Sequence, residues 1–493
     1  MPPILAAFLC TLAILGLLIR DVKAASGVSP AIWIPVIWIL LIGSRLPSEW
    51  IFGQYSVANP YAYADGSPLD RNIFLLLIAA GIAVLIRRRV EWSRFLRDNP
   101  AVTIFFAYAL VSIIWSDYPF VAFKRWIKVF GHVVMALVVL TDPQPSKAFA
   151  AVIKRCAYVL LPLSVLFIKY YPELGRGFDN WTGAPINPGV TTNKNSLGNL
   201  ILVTMPFMLA MWFSRSRERS FDARLDNWIS LVFLVAAGWL LMMADSSAAT
   251  VSTVAAIAIV FVLQKQSIRQ HFSAPFLSVL AIFLLLLSST TVRDSFILAL
   301  GEDTTLTGRT ELWEDLQRIK VNPILGTGFE SFWLGSRVAP LWAKYWWQPN
   351  QAHNGYYEMY LNLGILGLIA LAAMIVSTYR RVRREMLAEP APDDPNGDAS
   401  NRRSHAVFKF AFLIGLLAFN MTDATFKGLH LSFFVFVLAA LHDPVPSSTV
   451  EPTTVRRVAV TGGRARRIGT LRPRSLTARR HLEPRRKSPG SPP

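Results

Sequence analysis

Charged residues are scarce in this chain of 493 residues: only 16% are Asp, Glu, Lys or Arg, whereas 53% are hydrophobic. About a quarter of the residues in a soluble domain are charged, so this composition excludes an ordinary soluble protein. Cysteine is scarce as well, and the two cysteines, Cys10 and Cys156, both fall inside apolar runs. A disulfide framework and a cysteine metal site are therefore excluded, and the redox compartment stays open.

Motifs for common cofactors are missing too. The sequence contains no P-loop, no dinucleotide fingerprint, no His-Glu-x-x-His motif and no paired-cysteine motif. These absences argue against an ATP-driven pump and a zinc protease, and we expect the protein to use neither a metal ion nor another cofactor. A basic signal-peptide region is also missing, because only three residues precede the apolar run that begins at Ile4. We interpret residues 4–19 as a first membrane span.

Long apolar runs, by contrast, recur along the whole chain. We predict an all-α fold, a polytopic bundle of about 12–13 transmembrane helices, in which one of the shorter runs is open to an interfacial interpretation. The predicted spans cover residues 4–19, 30–44, 73–86, 100–116, 130–141, 152–168, 196–213, 228–243, 247–263, 274–290, 357–377, 407–421 and 428–441.

Basic residues between the spans orient the bundle, because short cytoplasmic loops are rich in Lys and Arg. The clusters at 87–89, 215–224, 265–269 and 380–384 fall on one side if the spans alternate, and we assign that side to the cytoplasm. The opposite side then carries one large periplasmic loop, at about 291–356, that contains short helices.

A net charge of +19 is typical of proteins that bind nucleic acid, but much of this charge lies in the cytoplasmic loops and in the tail. We predict a transmembrane domain over residues 1–445 and a disordered, basic cytoplasmic tail over 446–493, where Pro, Ser and Arg abound and apolar periodicity is absent. The tail arginines either contact anionic lipids or stay solvated. We expect membrane lipids, and no nucleic acid, among the partners.

A polar segment wedged between apolar runs, residues 307–367, contains the residues best suited to chemistry. Apolar residues such as Leu312 recur there at helical spacing, which places Arg309 in the first turn of a short amphipathic helix. A cation at that end opposes the helix dipole, which indicates a nearby anion. His353 precedes a long apolar helix that the Asn354 side chain is placed to cap.

A third cation, Lys194, directly precedes another apolar helix, which Asn195 or Ser196 is placed to cap. Helix N-termini present free N–H groups and partial positive charge, so they favour phosphate. We therefore predict that Lys194, Arg309 and His353 converge on a diphosphate pocket at the outer bilayer surface.

Each of these three residues also has a plainer interpretation. Lys194 alone is typical of an interfacial lysine that reaches lipid head groups. Arg309 is spaced to pair with Glu311 or Asp315 on a solvated face, an interaction that contributes little stability. His353 alone is compatible with an ordinary loop histidine.

Further cations, Lys124, Arg125 and Lys128, lie near the outer surface and break the positive-inside pattern. We assign Lys124 and Arg125 to diphosphate binding as weaker candidates; alternatively, their helix lies flat on the membrane. Other polar residues near outer span ends are candidates to support the site: His132, Asp245, Asp423, Lys427 and His430.

TGRTELWEDLQRIKVNPILGTGF and the later AHNGYYEMYLNLGILGL resemble the signature region of the bacterial O-antigen ligase and polysaccharide polymerase family. The Gly-Arg, Asn-Pro-Ile-x-Gly-x-Gly and His-Asn elements occur in the family's order, and TTNKNSLG resembles its element before an earlier span. The resemblance covers residues from roughly 70 to 440. One departure is Ser247, which stands where members often carry a basic residue.

The resemblance implies a metal-independent glycosyltransferase of the bacterial inner membrane. It would take a glycan from undecaprenyl diphosphate at the periplasmic face and pass it to an acceptor hydroxyl, on a growing exopolysaccharide or O-antigen or on lipid A core. Polymerisation is slightly favoured over ligation, and other polysaccharide assembly proteins are expected partners. Arg309 and Lys194 would hold the diphosphate, while His353 would contact it or act as general base.

The rival interpretation is a transporter or flippase for the same lipid-linked glycan. Transporters tend to place polar groups at the bilayer midplane in broken, repeated helices. In this sequence the polar candidates are predicted to cluster at one surface, and no internal repeat is evident. The enzyme interpretation is therefore favoured.

Overall fold

The computed structural model describes residues 1–53, 66–179, 182–216, 220–271, 309–388 and 398–442 of the chain. These residues are helical almost throughout, and the strands described are one antiparallel pair of two residues each. The predicted span 274–290, the predicted tail and the start of the large loop lie outside the described residues. The all-α class is confirmed.

The elements up to the strand pair are, in chain order, α1 (Pro3–Ala24), α2 (Trp33–Ile42), α3 (Pro47–Phe52), α4 (Pro68–Arg87), α5 (Trp92–Asp98), α6 (Pro100–Val111), α7 (Pro119–Leu140), α8 (Pro145–Tyr170), α9 (Pro172–Gly175), β1 (Gly177–Phe178) and β2 (Pro185–Ile186). After the strands follow α10 (Lys194–Arg215), α11 (Phe221–Ala244), α12 (Ser247–Val262), α13 (Gln266–His271), α14 (Arg309–Arg318), α15 (Ala339–Lys344), α16 (Gly355–Leu387), α17 (Asp398–Phe419) and α18 (Leu431–Ala440). Short 3-10 turns cover Pro30–Ile32, Ser112–Trp115 and Gly335–Arg337.

Every predicted span inside the described ranges coincides with one of these helices. Among the described residues, six helices are long and apolar enough to cross a membrane, or seven if α5 and α6, which are bent by 99° at their junction, form one span. That count is below the predicted number because α2, α12 and α18 are short, because cations interrupt α7 and α17, and because residues 274–290 lie outside the described ranges. The protein is a multi-pass membrane protein.

The core of the bundle is built around α10, which is buried along most of its length and packs against α11, α12 and α17. At the periphery, α1 and α11 expose large apolar side chains such as Phe8 and Val235. Such surfaces are expected of helices that face lipid, because hydrocarbon chains cover them in a bilayer.

The inter-helix segments sort into two ends of the bundle, as alternating spans predict. At one end, Arg88 binds Asp142 at 3.0 Å and Ser29 at 3.1 Å through its Nη2 atom. At the other end, Arg125 donates to the carbonyl oxygen of Glu330 at 2.7 Å. We call this second end, which collects the candidate residues, the site end.

Helix α16 is broken at Gly364, where φ is 64° and ψ is −162°. Glycine alone adopts this conformation readily, and the break leaves nearby backbone groups in need of other partners. Residues 322–328, Asn-Pro-Ile-Leu-Gly-Thr-Gly, supply them, and we call this segment the strap. Its bonds run from Thr327 N–H to Leu361 O (3.1 Å), Gly328 N–H to Asn362 O (2.9 Å), Ile365 N–H to Pro323 O (2.9 Å) and Leu366 N–H to Ile324 O (3.2 Å).

Candidate functional site

His353 lies immediately before α16 in a backbone that is fixed on both sides. The Asn354 side chain caps α16 and accepts from the N–H groups of Tyr356 and Tyr357, each at 3.0 Å, which confirms the predicted cap. On the other side, Ala352 donates its N–H to a buried carboxylate at 2.8 Å. His353 itself has φ of 50°, a strained value for a residue other than glycine, and such strain is common at functional sites.

The buried carboxylate belongs to Glu358, one turn into α16. It accepts from Trp333 Nε1 at 2.8 and 3.0 Å, from Ala352 N–H, and from Lys427 Nζ at 3.5 Å. Lys427 also donates to the carbonyl oxygen of Asn350 at 3.0 Å. Glu358 was missed at the sequence level, although an acidic residue in the first turn of an apolar helix was the available signal.

Helix α14 packs its apolar face against this loop. Leu312 and Leu316 are buried, as the helical spacing predicted, in a small core with Phe332. Trp313 donates its indole N–H to the carbonyl oxygen of Ala352 at 2.7 Å, directly before His353. Because Arg309 is the first residue of α14, this packing brings it toward the imidazole.

Electrostatics places four side chains in one neighbourhood, which we call the polar cluster: Arg309, His353, Asp423 and Lys427. Burial, with the charges of Arg309 and Lys427, lowers the pKa of His353 to about 3. Burial raises the pKa of Asp423, while the charges of Arg309 and Lys427 oppose that rise. His353 is therefore neutral at pH 7, in a region of positive potential.

Lys194 is the first residue of α10, and the cap is Asn193, whose side chain accepts from Ser196 N–H at 2.9 Å. The expectation that Asn195 or Ser196 caps the helix is wrong, because both lie inside its first turn. Asn195 instead bonds Asp423 through its side chain and accepts from a hydroxyl of Ser246 at 2.9 Å. Lys194, half-buried, thus lies one residue from a group that contacts the polar cluster.

The structure therefore brings Arg309 and His353 together and places Lys194 beside a residue bonded to the same cluster. Lys427, considered from the sequence only as a supporting group, is a full member of it. Ser246, in the element where the family often carries a cation, caps α12 through its side chain. The polar cluster thus has a positive charge from Lys427, although Ser247 replaces the basic residue that family members often carry.

The weaker candidates Lys124 and Arg125 line a cavity of about 520 Å³ at the site end. This cavity also contains residues that sequence reasoning did not select, because they are distant along the chain: Glu49, Arg71 and Glu330. We call it the basic cavity. Its other walls include Thr192 and Ser196, on either side of Lys194.

The segment before α18 separates the polar cluster from the basic cavity. Lys427 belongs to the cluster, whereas Gly428 and His430 line the cavity. His430 caps α18, and burial lowers its pKa to about 4. His132 supports this segment from below: its Nε2 is 3.2 Å from the carbonyl oxygen of Gly428, and its Nδ1 accepts from Trp38 at 3.0 Å.

Fold and site together define a multi-pass membrane protein that collects cationic and neutral polar groups at one end of its bundle. Residues 231–372 match the family model described as O-antigen ligase, and this segment contains Arg309 and His353. The chain is also 26% identical over 317 residues to the exopolysaccharide production protein ExoQ of Rhizobium meliloti (strain 1021), which covers 61% of this chain and 69% of that protein. The chain is thus similar to the O-antigen ligase and polysaccharide polymerase family that its motifs resemble.

Proposed function

We propose that this protein transfers a glycan from undecaprenyl diphosphate to an acceptor hydroxyl at the periplasmic face of the bacterial inner membrane. The observation that carries the proposal is the convergence of Arg309, Lys427 and the neutral His353 at one end of the bundle, with Lys194 beside them. Similarity to this family supports glycan transfer as the type of reaction. The positive charge of the site supports a lipid diphosphate as the donor.

The cations suit the leaving group of this reaction. As the anomeric carbon–oxygen bond breaks, negative charge grows on the lipid diphosphate, and preorganised positive groups stabilise that charge in the transition state. Arg309 and Lys427 both lie close enough to His353 for their charges to lower its pKa, and Lys194 adds a charge at the N-terminus of α10. Lys124 and Arg125, which the sequence also assigned to the diphosphate, lie in the neighbouring basic cavity and not in the polar cluster.

His353 suits the role of general base. The acceptor oxygen attacks the anomeric carbon, the bond to the diphosphate oxygen breaks, and the hydroxyl proton passes to the imidazole. A neutral imidazole can accept that proton, whereas an imidazolium cannot. A bound diphosphate offsets the positive potential that lowers the pKa of His353, so the donor itself raises the basicity of the imidazole.

The direct test is complementation of a deletion strain with His353→Ala or Arg309→Ala, followed by analysis of surface glycans and of lipid-linked intermediates. We expect both variants to lose polymeric glycan. A polymerase defect leaves single repeat units on the carrier lipid, whereas a ligase defect leaves long chains on it. Lys320→Ala, which removes an exposed charge after α14, is the matched control and should keep the glycan.

Of the two transfer reactions, we favour exopolysaccharide polymerisation. The relative that aligns over 61% of this chain is named for exopolysaccharide production. Normal glycan in both the His353 and the Arg309 variants would remove the site assignment. Intact transport together with lost polymerisation would exclude the flippase alternative.

A further inference from the structure

The basic cavity has a charge pattern of its own. Arg71, Lys124, Arg125 and Lys128 line it together with two carboxylates, so cations exceed anions by two. Arg71 and Lys128 make no ion pair within the described part of the chain, and the ammonium group of Lys124 lies 5.1 Å from the ring centre of Phe120. Arg71, Lys124 and Lys128 are therefore available to an anionic ligand, whereas Arg125 pairs with the Glu330 carboxylate at 3.9 Å.

One wall of this cavity presents a fixed carboxylate. Glu330 has φ of 52°, and neighbouring bonds hold that strained backbone: Phe329 N–H to Ser112 Oγ at 3.0 Å and Ser331 N–H to Asn362 Oδ1 at 2.9 Å. Its Oε1 atom is buried and has no hydrogen-bond partner among the described residues. A buried acceptor without a partner is costly, which indicates that a ligand supplies the donor.

We propose that the basic cavity is a subsite for an acidic sugar of the glycan, with Arg71, Lys124 and Lys128 binding its carboxylate and Glu330 accepting from its hydroxyls. The inference rests on the proposed function, because it specifies the class of glycan that the enzyme handles. A volume of about 520 Å³ lies within the range of small-molecule sites.

The mixed charges favour an acidic sugar over the lipid diphosphate in this cavity. A diphosphate carries several negative charges and few donors, so Glu330 and Glu49 would repel it. A neutral sugar would leave the two excess positive charges of the cavity without a counter-charge. An acidic sugar supplies a carboxylate for the cations of the cavity and hydroxyl donors for its two carboxylates, so it complements both kinds of charged residue.

The test measures binding to the full-length protein in nanodiscs by calorimetry, with trigalacturonate as the acidic probe and the neutral galactose trisaccharide of the same linkage as its match. We expect wild-type protein to bind the acidic probe at least tenfold more tightly. The double variant Arg71→Gln with Lys128→Gln should lose that preference, and Glu330→Gln should weaken both sugars. Lys320→Gln removes an exposed charge outside the cavity and should change neither affinity.

Equal affinity for the two probes, or equal losses in the Lys320 variant and the cavity variant, would overturn the proposal. A second probe, farnesyl diphosphate, separates the two anion sites: its binding should depend on Arg309 and Lys427. If it depends on Arg71 and Lys128 instead, the cavity is the diphosphate site and the acidic-sugar proposal is wrong. Melting profiles of each variant identify any loss that is due to unfolding.

The two proposals fail separately. If wild-type protein binds trigalacturonate preferentially and the Arg309→Ala and His353→Ala strains make normal polymer, the subsite proposal is supported and the proposed transfer chemistry is contradicted. If those strains lose polymer and wild-type protein shows no preference between the two probes, the transfer chemistry is supported and the subsite proposal is contradicted.

Discussion

The imidazole of His353 combines burial with two nearby positive charges, and this combination predicts an unusual pH dependence. In the free enzyme its pKa is lowered to about 3, so the neutral base persists until the solution is strongly acidic. A bound diphosphate opposes Arg309 and Lys427, which raises the pKa in the complex. With purified enzyme, we expect the acid limb of the kcat profile to lie at least one pH unit above the acid limb of the kcat/KM profile. A shift of one pKa unit corresponds to about 1.4 kcal/mol of interaction between the imidazolium and the bound diphosphate.

Arg309→Gln is the matched variant for this measurement. It removes one of the charges that depress the pKa of His353, so the acid limb of kcat/KM should move to higher pH. A wild-type kcat/KM limb near the ordinary histidine pKa, unmoved in the variant, would refute the base role.

Glu358 is the second residue whose chemistry depends on burial. Its side chain is 5% exposed, and its loss would remove the acceptor of the Trp333 indole and the counter-charge that Glu358 gives Lys427. Removing one partner of a buried charged pair costs roughly 3–5 kcal/mol. We expect Glu358→Ala to lower the melting temperature clearly, measured by tryptophan fluorescence, and to abolish transfer. Glu314→Ala, which removes an exposed carboxylate on α14, should do neither.

At the scale of elements, the break in α16 decides where its first turns point. A Cβ atom on Gly364 would lie 2.3 Å from the carbonyl oxygen of Ile324 in the strap, in a backbone conformation that costs other residues roughly 1–3 kcal/mol. We expect Gly364→Ala to reduce the folded yield severely, measured by fluorescence-detected size exclusion. Gly16→Ala in α1, where nothing lies within 4 Å of the added atom, is the control and should fold normally.

The helices were predictable because their signal is local. Apolar runs define the spans, helical spacing defines α14, and Asn354 caps α16 as its position before an apolar run indicates. The predicted cap of α10 was two or three residues too late, because Asn193, Asn195 and Ser196 all have side chains that cap helices and only tertiary contacts choose among them. The roles of Glu358 and the strap depend on contacts across the fold, which no local pattern encodes.

The basic cavity is the feature that the sequence predicted least well. Glu49, Arg71, Lys128 and Glu330 come from four separate parts of the chain and meet only when the bundle assembles. Sequence reasoning selected the cations of α7 because they form a cluster that breaks the positive-inside pattern, and it missed Arg71 because that residue is a single cation next to Asp70 at the start of a span. Charge patterns thus located one wall of the cavity, and folding supplied the others.

For the whole molecule, both proposals require the site end to face away from the cytoplasm. The proposed transfer takes place at the periplasmic face, and the basic segments after α4, α10 and α16 indicate that the end opposite to the site is cytoplasmic. A bundle inserted the other way would present the polar cluster to a compartment without the proposed acceptor. Orientation is therefore the property on which the functional argument depends most.

Single-cysteine labelling measures that orientation. In a Cys10→Ala, Cys156→Ala background, Lys320→Cys lies at the site end after α14 and Arg384→Cys lies at the far end of α16, and both positions are exposed. We expect a membrane-impermeant maleimide to label position 320 in spheroplasts with an intact inner membrane, and to label position 384 only after permeabilisation. Because α16 begins at the site end and ends at Leu387, position 384 reports on the end of the bundle opposite to position 320. The reverse pattern would place the polar cluster in the cytoplasm, where neither the diphosphate chemistry nor the acidic-sugar subsite could serve the proposed transfer.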